Sequence, residues 1–473
     1  MKRLKNFING KFVDSTSDEV LDIVYPVTGE VIAQAPISTD DDVNTAMHAA
    51  QDAFKTWKHT TPSDRQLLLL KLADALEENV DVLVEAQHRN TGQPRELIRD
   101  EEVLVGANQL RFFAGAARTL EGKAATEYME GHTSYVRREP IGAQVTPWNY
   151  PLMMALWKLG PALAAGNTVV LKPSDTTPES TLELARLIGE IYPAGVVNVV
   201  LGTGETGEAM VGHPAPAMVS ITGSVRAGQA VATGAAAGLK RSHLELGGKA
   251  PAVVFADADL PRTARMLADF GYFNAGQDCT AVTRVLVQDS IYDKFRDLLV
   301  AAAKDTATGH EDDSKNFYGP LNNINHFKTV MNKLNSLPEH VTVETGGKQC
   351  GTRGFFVEPT VLSGVNQDDA VVQEETFGPV LTLQKFTTEA EAVELANDVN
   401  YALASSVWTS NHSTAMRVSR DLDFGAVWIN THVLLTAEMP HGGFKYSGYG
   451  KDLSLYSVEE YTRVKHVMSD LSA

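Results

Sequence analysis

From about residue 141 onward the chain alternates short β-rich runs with helical stretches, and this pattern restricts the fold more than any other feature of the sequence. Runs at residues 142–145, 168–171, 196–201 and 218–221 are separated by helical spacing near 153–165, 179–191 and 204–212. Such alternation indicates βαβ units and a mostly parallel sheet. A second series has β-rich runs at 252–255, 285–288, 380–386, 404–409 and 426–429, with helices expected near 260–273, 291–304, 389–399 and 413–422. A chain of 473 residues is too long for one simple core, so two α/β domains are expected.

The flanking segments carry more local signals. Phe7-Ile8-Asn9-Gly10-Lys11-Phe12-Val13 sets an Asn-Gly pair between two β-prone pieces and predicts an opening hairpin. Thr61-Pro62-Ser63-Asp64 forms a capping box, and apolar residues recur at helical spacing from Leu67 to Val84, predicting a helix that ends before Asn90-Thr91-Gly92. Residues 120–138 lack helical periodicity and read as a protruding hairpin or an ordinary surface loop. The tail at 456–468 is β-prone. Both are candidates for pairing between subunits. The most apolar window, 151–171, is interrupted by Lys158, Gly160-Pro161 and Gly166-Asn167, and reads as a buried helix, turn and strand rather than a membrane span.

A formal charge of −18 disfavours nucleic acid and anionic membranes as partners and suits a cationic substrate. Charges near Met1 are not followed by an apolar run with a small-residue cleavage site, so a cytoplasmic enzyme is expected. The thirteen histidines show no zinc-ligand spacing, and no metal is expected. The two cysteines are not in a paired pattern and read as reduced thiols. One of them, Cys279 in Asn274-Ala275-Gly276-Gln277-Asp278-Cys279, follows Glu245 in Leu244-Glu245-Leu246-Gly247-Gly248-Lys249, and the pair suggests a thiol nucleophile with its carboxylate base.

Gly202-Thr203-Gly204-Glu205-Thr206-Gly207 spells a dinucleotide fingerprint after a strand and before a helix. The acid expected about twenty residues later is missing, since that place holds Ile221-Thr222-Gly223-Ser224. Lys172-Pro173-Ser174-Asp175 offers an alternative cation and carboxylate at a strand end, and Gly223-Ser224 offers phosphate donors before a helical stretch. Each is ordinary turn chemistry when taken alone. Together they point to a dinucleotide.

These segments resemble the NAD(P)-dependent aldehyde dehydrogenase superfamily over nearly the whole chain. Thr146-Pro147-Trp148-Asn149-Tyr150-Pro151, Lys172-Pro173-Ser174-Asp175, Ile221-Thr222-Gly223-Ser224, the Glu245 and Cys279 segments, and Glu374-Glu375-Thr376-Phe377-Gly378-Pro379 match its motifs in the family's order. The resemblance implies an aldehyde dehydrogenase-like α/β fold with two Rossmann-like parallel-sheet domains plus a small β oligomerisation arm. On it, residues 1–117 and 139–246 form the NAD-binding domain and 247–440 the catalytic domain. Residues 118–138 and 441–473 form the arm and tail of a homo-oligomer, a tetramer or dimer.

It further implies that Cys279 adds to an aldehyde carbon, that Asn149 and the Cys279 N–H receive the resulting oxyanion, and that Glu245 serves as base for the thiol and for the water that hydrolyses the thioester. The cofactor contacts it implies are Lys172 and Asp175 at the adenosine ribose, Ser224 at the pyrophosphate, Glu375 at the nicotinamide ribose, Phe377 beside the nicotinamide and Trp148 in the cleft. Thr146, Gly202, Gly223, Leu246 and Gly247 complete that set. Asp175 stands where the family commonly has glutamate; an acid there disfavours a 2′-phosphate, so NAD is expected over NADP.

Ala275–Ala281, Glu438-Met439-Pro440-His441-Gly442-Gly443 and Ser447-Gly448-Tyr449-Gly450-Lys451-Asp452 resemble the 4-aminobutyraldehyde dehydrogenases. The expected substrate is therefore an amino aldehyde such as 4-aminobutanal, with betaine aldehyde as the alternative. Asp278, Glu438 and His441 are candidates to hold its ammonium, with Tyr150, Trp157 and Trp428 as aromatic faces. The other reading is that Asp278 serves a hydrogen-bond network and the aromatics pack the core. Two rivals remain: a Cys279–His243 hydrolase dyad, and a silent structural or binding member of the fold.

Overall fold

The computed structural model describes residues 1–140, 144–145 and 149–472. The Asn-Gly signal produces the opening hairpin, Asn6–Ile8 with Lys11–Val13, because Asn9 and Gly10 both adopt the positive φ (51° and 77°) that a tight hairpin turn needs. This hairpin forms one edge of an eight-stranded sheet, continued by Val197–Val199, Val169–Lys172, Gln144–Val145, Met218–Thr222, Arg241–Glu245 and Gly448–Tyr449. The five strands between the hairpin and Gly448–Tyr449 are mutually parallel. The central run of residues 169–171 is continuously apolar because helices cover both faces. Val169 and Leu171 point into the core shared with helices Pro151–Ala165 and Glu179–Ile191, while Val170 meets Val43, Ala46 and Met47 of helix Asp40–Trp57. Each such fully buried aliphatic contributes about 1.5–3 kcal/mol.

The second sheet has seven strands in the order Thr342–Thr345, Thr360–Ser363, Val380–Phe386, Val282–Gln288, Ala250–Val254, Ala404–Trp408 and Ala426–Ile429. Every pairing in it is parallel except the first. Alternate residues serve opposite cores. Ala252, Val254, Val285 and Val287 pack with Leu260–Tyr272 and Tyr292–Lys304. Val253, Leu286 and Val407 pack toward Glu389–Asn397 and His412–Asp421.

Residues 120–138 do contain a hairpin strand pair, Ala125–Met129 with His132–Pro140, and the C-terminal strand Thr462–Asp470 pairs along the full length of the latter. This three-stranded arm exposes Tyr128, Val464 and Met468.

Three local expectations need correction. The helix predicted from Thr61 stops at Glu78: Asn79 leaves helical geometry (φ −112°, ψ 21°), and its side-chain amide joins its backbone N–H in donating to the Ala75 carbonyl. A second helix, Val80–Thr91, then runs through Asn90 and Thr91 and ends at the left-handed Gly92. Residues 454–460 are helical rather than β, and the strand starts only at Thr462. No helix among the described residues is long and apolar enough to cross a membrane.

Candidate active site

Lys172, Thr222 and Glu245 are the last residues of three parallel strands, and Thr222 lies in register with Glu245. Ligands collect at such carboxyl ends in open α/β sheets. Opposite them, Cys279 sits in the loop between helix Leu260–Tyr272 and strand Val282–Gln288 of the second sheet. That loop is forced into shape by Asn274, Ala275 and Gly276, all at positive φ (50°, 58° and 67°). A side chain at Gly276 would stand 2.2 Å from the Gly378 carbonyl oxygen, so the cysteine loop is wedged against the Glu374–Pro379 segment.

Between the two sheets lies a cavity of about 160 Å³ whose walls include Cys279, Glu245, Asn149 and Thr222. Cys279 is half-buried and free. Burial, followed by the Asp278, Glu245 and Glu375 carboxylates, pushes its thiol well above the usual cysteine range. Its resting form at neutral pH is the thiol. Glu245 is buried, and among the described residues neither of its carboxyl oxygens accepts a hydrogen bond. Burial and then the Asp452 charge push it far above the usual carboxylate range, against the pull of Lys158 and Lys451. A buried carboxyl without partners is costly to ionise, which is the condition for a group that must exchange protons.

Asn149 is buried; its side-chain amide donates to the Gln277 carbonyl at 3.2 Å, leaving its second N–H uncommitted to that bond. Asp278 also lines the cavity, and its carboxylate is already engaged: the Tyr150 hydroxyl donates to it at 2.8 Å, the Thr280 N–H at 2.7 Å and the Thr280 hydroxyl at 2.6 Å. Asp278 therefore serves a hydrogen-bond network, with one acceptor position left over. His441 lines the cavity with Nε2 3.9 Å from Glu245, and its ring meets Trp157 edge-on at 5.1 Å. Burial takes this imidazole down to about 4, so at neutral pH it is an uncharged neighbour of Glu245.

Glu438 and Trp428 fall outside the cavity lining. Glu438 is exposed, where its charge keeps its hydration, and Trp428 donates its indole N–H to the Leu434 carbonyl, bracing the loop whose Leu434 and Leu435 do line the cavity. His243 does not reach Cys279 either: it is fully buried, 2.6 Å from Glu460 and 3.3 Å from Asp452. Asp452 in turn pairs with Lys158 at 2.5 Å. The opposite wall, Glu101, Val105 and Gln109, comes from residues 98–116, a segment that carries none of the motifs. Its apolar spacing at Val103, Ala107, Leu110 and Ala114 is a helical signal, but nothing in it marks the face turned to the cavity.

Among the cofactor candidates, the Lys172 ammonium donates to the Pro173 and Gly202 carbonyls at 2.9 and 3.1 Å, beside exposed Asp175. Ser224 caps helix Val225–Ala237 through the Ala227 N–H, following Gly223. Glu375 accepts the Gly248 N–H at 2.9 Å, and burial pushes its carboxyl up to about 7. A side chain at Gly247 would strike that carboxylate at 2.3 Å. Leu246 and Gly247 are fixed by Ser447, through the Leu246 N–H and the Gly247 carbonyl. Phe377 holds a positive φ of 54°, with His326 bonded to its carbonyl. Thr146 and Trp148 lie outside the described residues.

The aldehyde dehydrogenase family model matches residues 12–467. The chain belongs to the aldehyde dehydrogenase family. It is 42% identical over 470 residues to an aldehyde dehydrogenase of Emericella nidulans, covering 98% of this chain and 94% of that one, and 39% identical over 469 residues to one from Alternaria alternata with the same coverage. Among solved structures it is similar to an NAD⁺ complex of aldehyde dehydrogenase from Bacillus cereus, at 36% identity and a TM-score of 0.97 over 99% of this chain and 97% of that one. It is also similar to betaine aldehyde dehydrogenase from Staphylococcus aureus in complex with NAD⁺, at 35% identity and a TM-score of 0.96 over 99% and 95%. The family thus supplies the fold for which the alternating pattern called.

Proposed function

We propose that this chain oxidises an amino aldehyde, 4-aminobutanal in the first instance, to the carboxylic acid with NAD. The observation that carries the reading is one cavity that joins an unpaired thiol, a buried unpartnered carboxyl and the Asn149 amide. Glu245 takes the Cys279 proton, the thiolate adds to the aldehyde carbon, and the oxyanion that forms is received by the Asn149 amide and the Cys279 N–H. NAD, when bound, supplies the acceptor for the hydride that then leaves that carbon. Once it has passed the first proton to solvent, Glu245 draws a proton from the water that hydrolyses the Cys279 thioester; the acid is released and that proton returns to the departing Cys279 sulfur. Lys172, Asp175, Gly202, Gly223, Ser224, Leu246, Gly247, Glu375 and Phe377 would hold the cofactor. The strand-end placement of Lys172, the helix N-terminus behind Ser224 and the close approach of Gly247 to Glu375 support that fit. The same reading assigns the exposed arm to self-association.

The amino preference rests on the carboxylates of the wall. A primary ammonium donates three hydrogen bonds, which suits the remaining acceptor position of Asp278 and the exposed Glu101 at the cavity wall. Betaine aldehyde is the second reading, favoured by the likeness to the Staphylococcus aureus enzyme. Its quaternary nitrogen donates no hydrogen bond and would lean on Trp157 and Tyr150.

NADH formation across 4-aminobutanal, 3-aminopropanal, betaine aldehyde and butanal tests the assignment. The expected result is a kcat/KM for 4-aminobutanal about tenfold or more above that for butanal, equivalent to about 1.4 kcal/mol. Asp278→Asn should raise KM for 4-aminobutanal far more than for butanal, and equal effects on both would remove the cation site. Asn149→Ala should lower kcat about 100- to 1000-fold, the usual cost of one oxyanion donor. Unchanged turnover in that variant would strip Asn149 of the role.

A further inference from the structure

Glu102 is a carboxyl only 2% exposed, outside the walls of the catalytic cavity and unused by the chemistry above. Its surroundings account for the start of helix Pro151–Ala165, the helix that begins two residues after Asn149. Tyr150 offers that helix no side-chain cap and Pro151 has no N–H, so the first-turn donors needing partners are those of Leu152 and Met153. The Leu152 N–H donates to Gln87 Oε1 at 3.3 Å and the Met153 N–H to Glu102 Oε2 at 3.2 Å. Gln87 Nε2 in turn donates to Glu102 Oε1 and, at 2.9 Å, to Gln93 Oε1.

From Gln93 the network reaches Asn149 itself. Gln93 Nε2 donates to the Asn149 carbonyl at 3.1 Å and to Asn274 Oδ1 at 2.9 Å. Asn274 Nδ2 donates to the same Asn149 carbonyl at 2.9 Å and to the Gln277 carbonyl at 3.1 Å, the oxygen that also accepts the Asn149 side-chain amide. Both acceptor positions of the Asn149 carbonyl are thereby filled, and its side chain shares an anchor with the cysteine loop. We infer that Glu102, acting through Gln87 and Gln93, is a positioning residue that sets the Asn149 amide for the oxyanion. Burial pushes the Glu102 carboxyl up to about 8, which agrees with a group held for its hydrogen bonds in a dry interior rather than for a solvated charge.

This inference rests on the oxyanion role proposed for Asn149, and a double-mutant cycle separates the two. Glu102→Gln keeps the size of the side chain but turns an amide N–H toward one of two donors, so one bond is lost. Gln93→Met removes the bonds at the Asn149 end and serves if the first variant folds poorly. Each single variant should lower kcat about 10- to 100-fold per titrated active-site thiol, the scale of a small misplacement, with KM for the aldehyde within about twofold of the parent. In an Asn149→Ala background the same substitutions should cost less than about twofold, because the group they position is gone. Full multiplication of the two losses, or a loss explained wholly by fewer titratable thiols, would overturn the positioning role. An Asn149→Ala enzyme with normal kcat would remove the oxyanion reading and this inference with it.

Discussion

Replacing Cys279 by alanine will abolish NAD-dependent aldehyde oxidation, by on the order of 10⁴-fold or more, while the chain stays folded. The size of the effect follows from the chemistry. A trigonal aldehyde carbon cannot give up hydride until a nucleophile has added, and within the cavity the thiol is the group able to add and later leave. Folding should be nearly indifferent, because the side chain is small, half-buried and free of any disulfide. Two measurements check this: NADH formation at saturating aldehyde, and a thermal melt that moves by no more than a few degrees. In the parent enzyme, a single turnover followed by acid quench should leave an acyl group on Cys279. An alanine variant that retains a tenth of parental turnover would end the nucleophile assignment.

The same surroundings fix the direction of the pH dependence. Cys279 and Glu245 both act in their deprotonated forms, and both are raised, chiefly by burial. Lowering the pH therefore protonates the groups that must be ionised, so kcat/KM falls toward acid, with its rising limb above the ordinary carboxylate range of about 4.

Much of this was legible from residue order because strands covered on both faces must be apolar without interruption, as residues 169–171 and Ala250–Val254 are, and the helices between them keep their own period. Helix Asp40–Trp57 escaped notice although Thr39 and Asp42 form a capping box, since its core face is built largely from alanine, whose weak hydropathy blurs the pattern. Strand Thr342–Thr345 is a short edge with no fully buried residue, and carries little apolar signal. In the site, Cys279, Glu245 and Asn149 were visible as motifs. The partners that decide their behaviour were not, because contact made by folding leaves no local mark. Tyr150 meets Asp278 across 128 positions, and Lys158 meets Asp452 across 294. His441, read as a substrate contact, lines the cavity and also lies beside Glu245, a neighbour no local pattern marks, because the strand Gly448–Tyr449 returns to pair with Arg241–Glu245 and carries its neighbours back to the base.

Glu245→Gln should divide the reaction in two. The substitution preserves shape and removes the ability to take a proton, a change that usually costs about 10²- to 10⁴-fold. Steady-state turnover should fall by that amount. At a pH high enough to ionise Cys279 without help, the first turnover should survive, giving a burst of about one NADH per active site and then a stall. The stall has a physical cause: the thioester on Cys279 waits for a water molecule that no base activates. His441 cannot take over, because its burial disfavours the protonated ring that base catalysis would create. Asp452 is no substitute either, since Lys158 and His243 hold it well below the usual carboxylate range despite its burial, leaving it a weak base. Mass spectrometry of the stalled enzyme should therefore find the acyl group of the substrate on the peptide that contains Cys279. Parental turnover in this variant, or a stall without that adduct, would assign the hydrolytic base elsewhere.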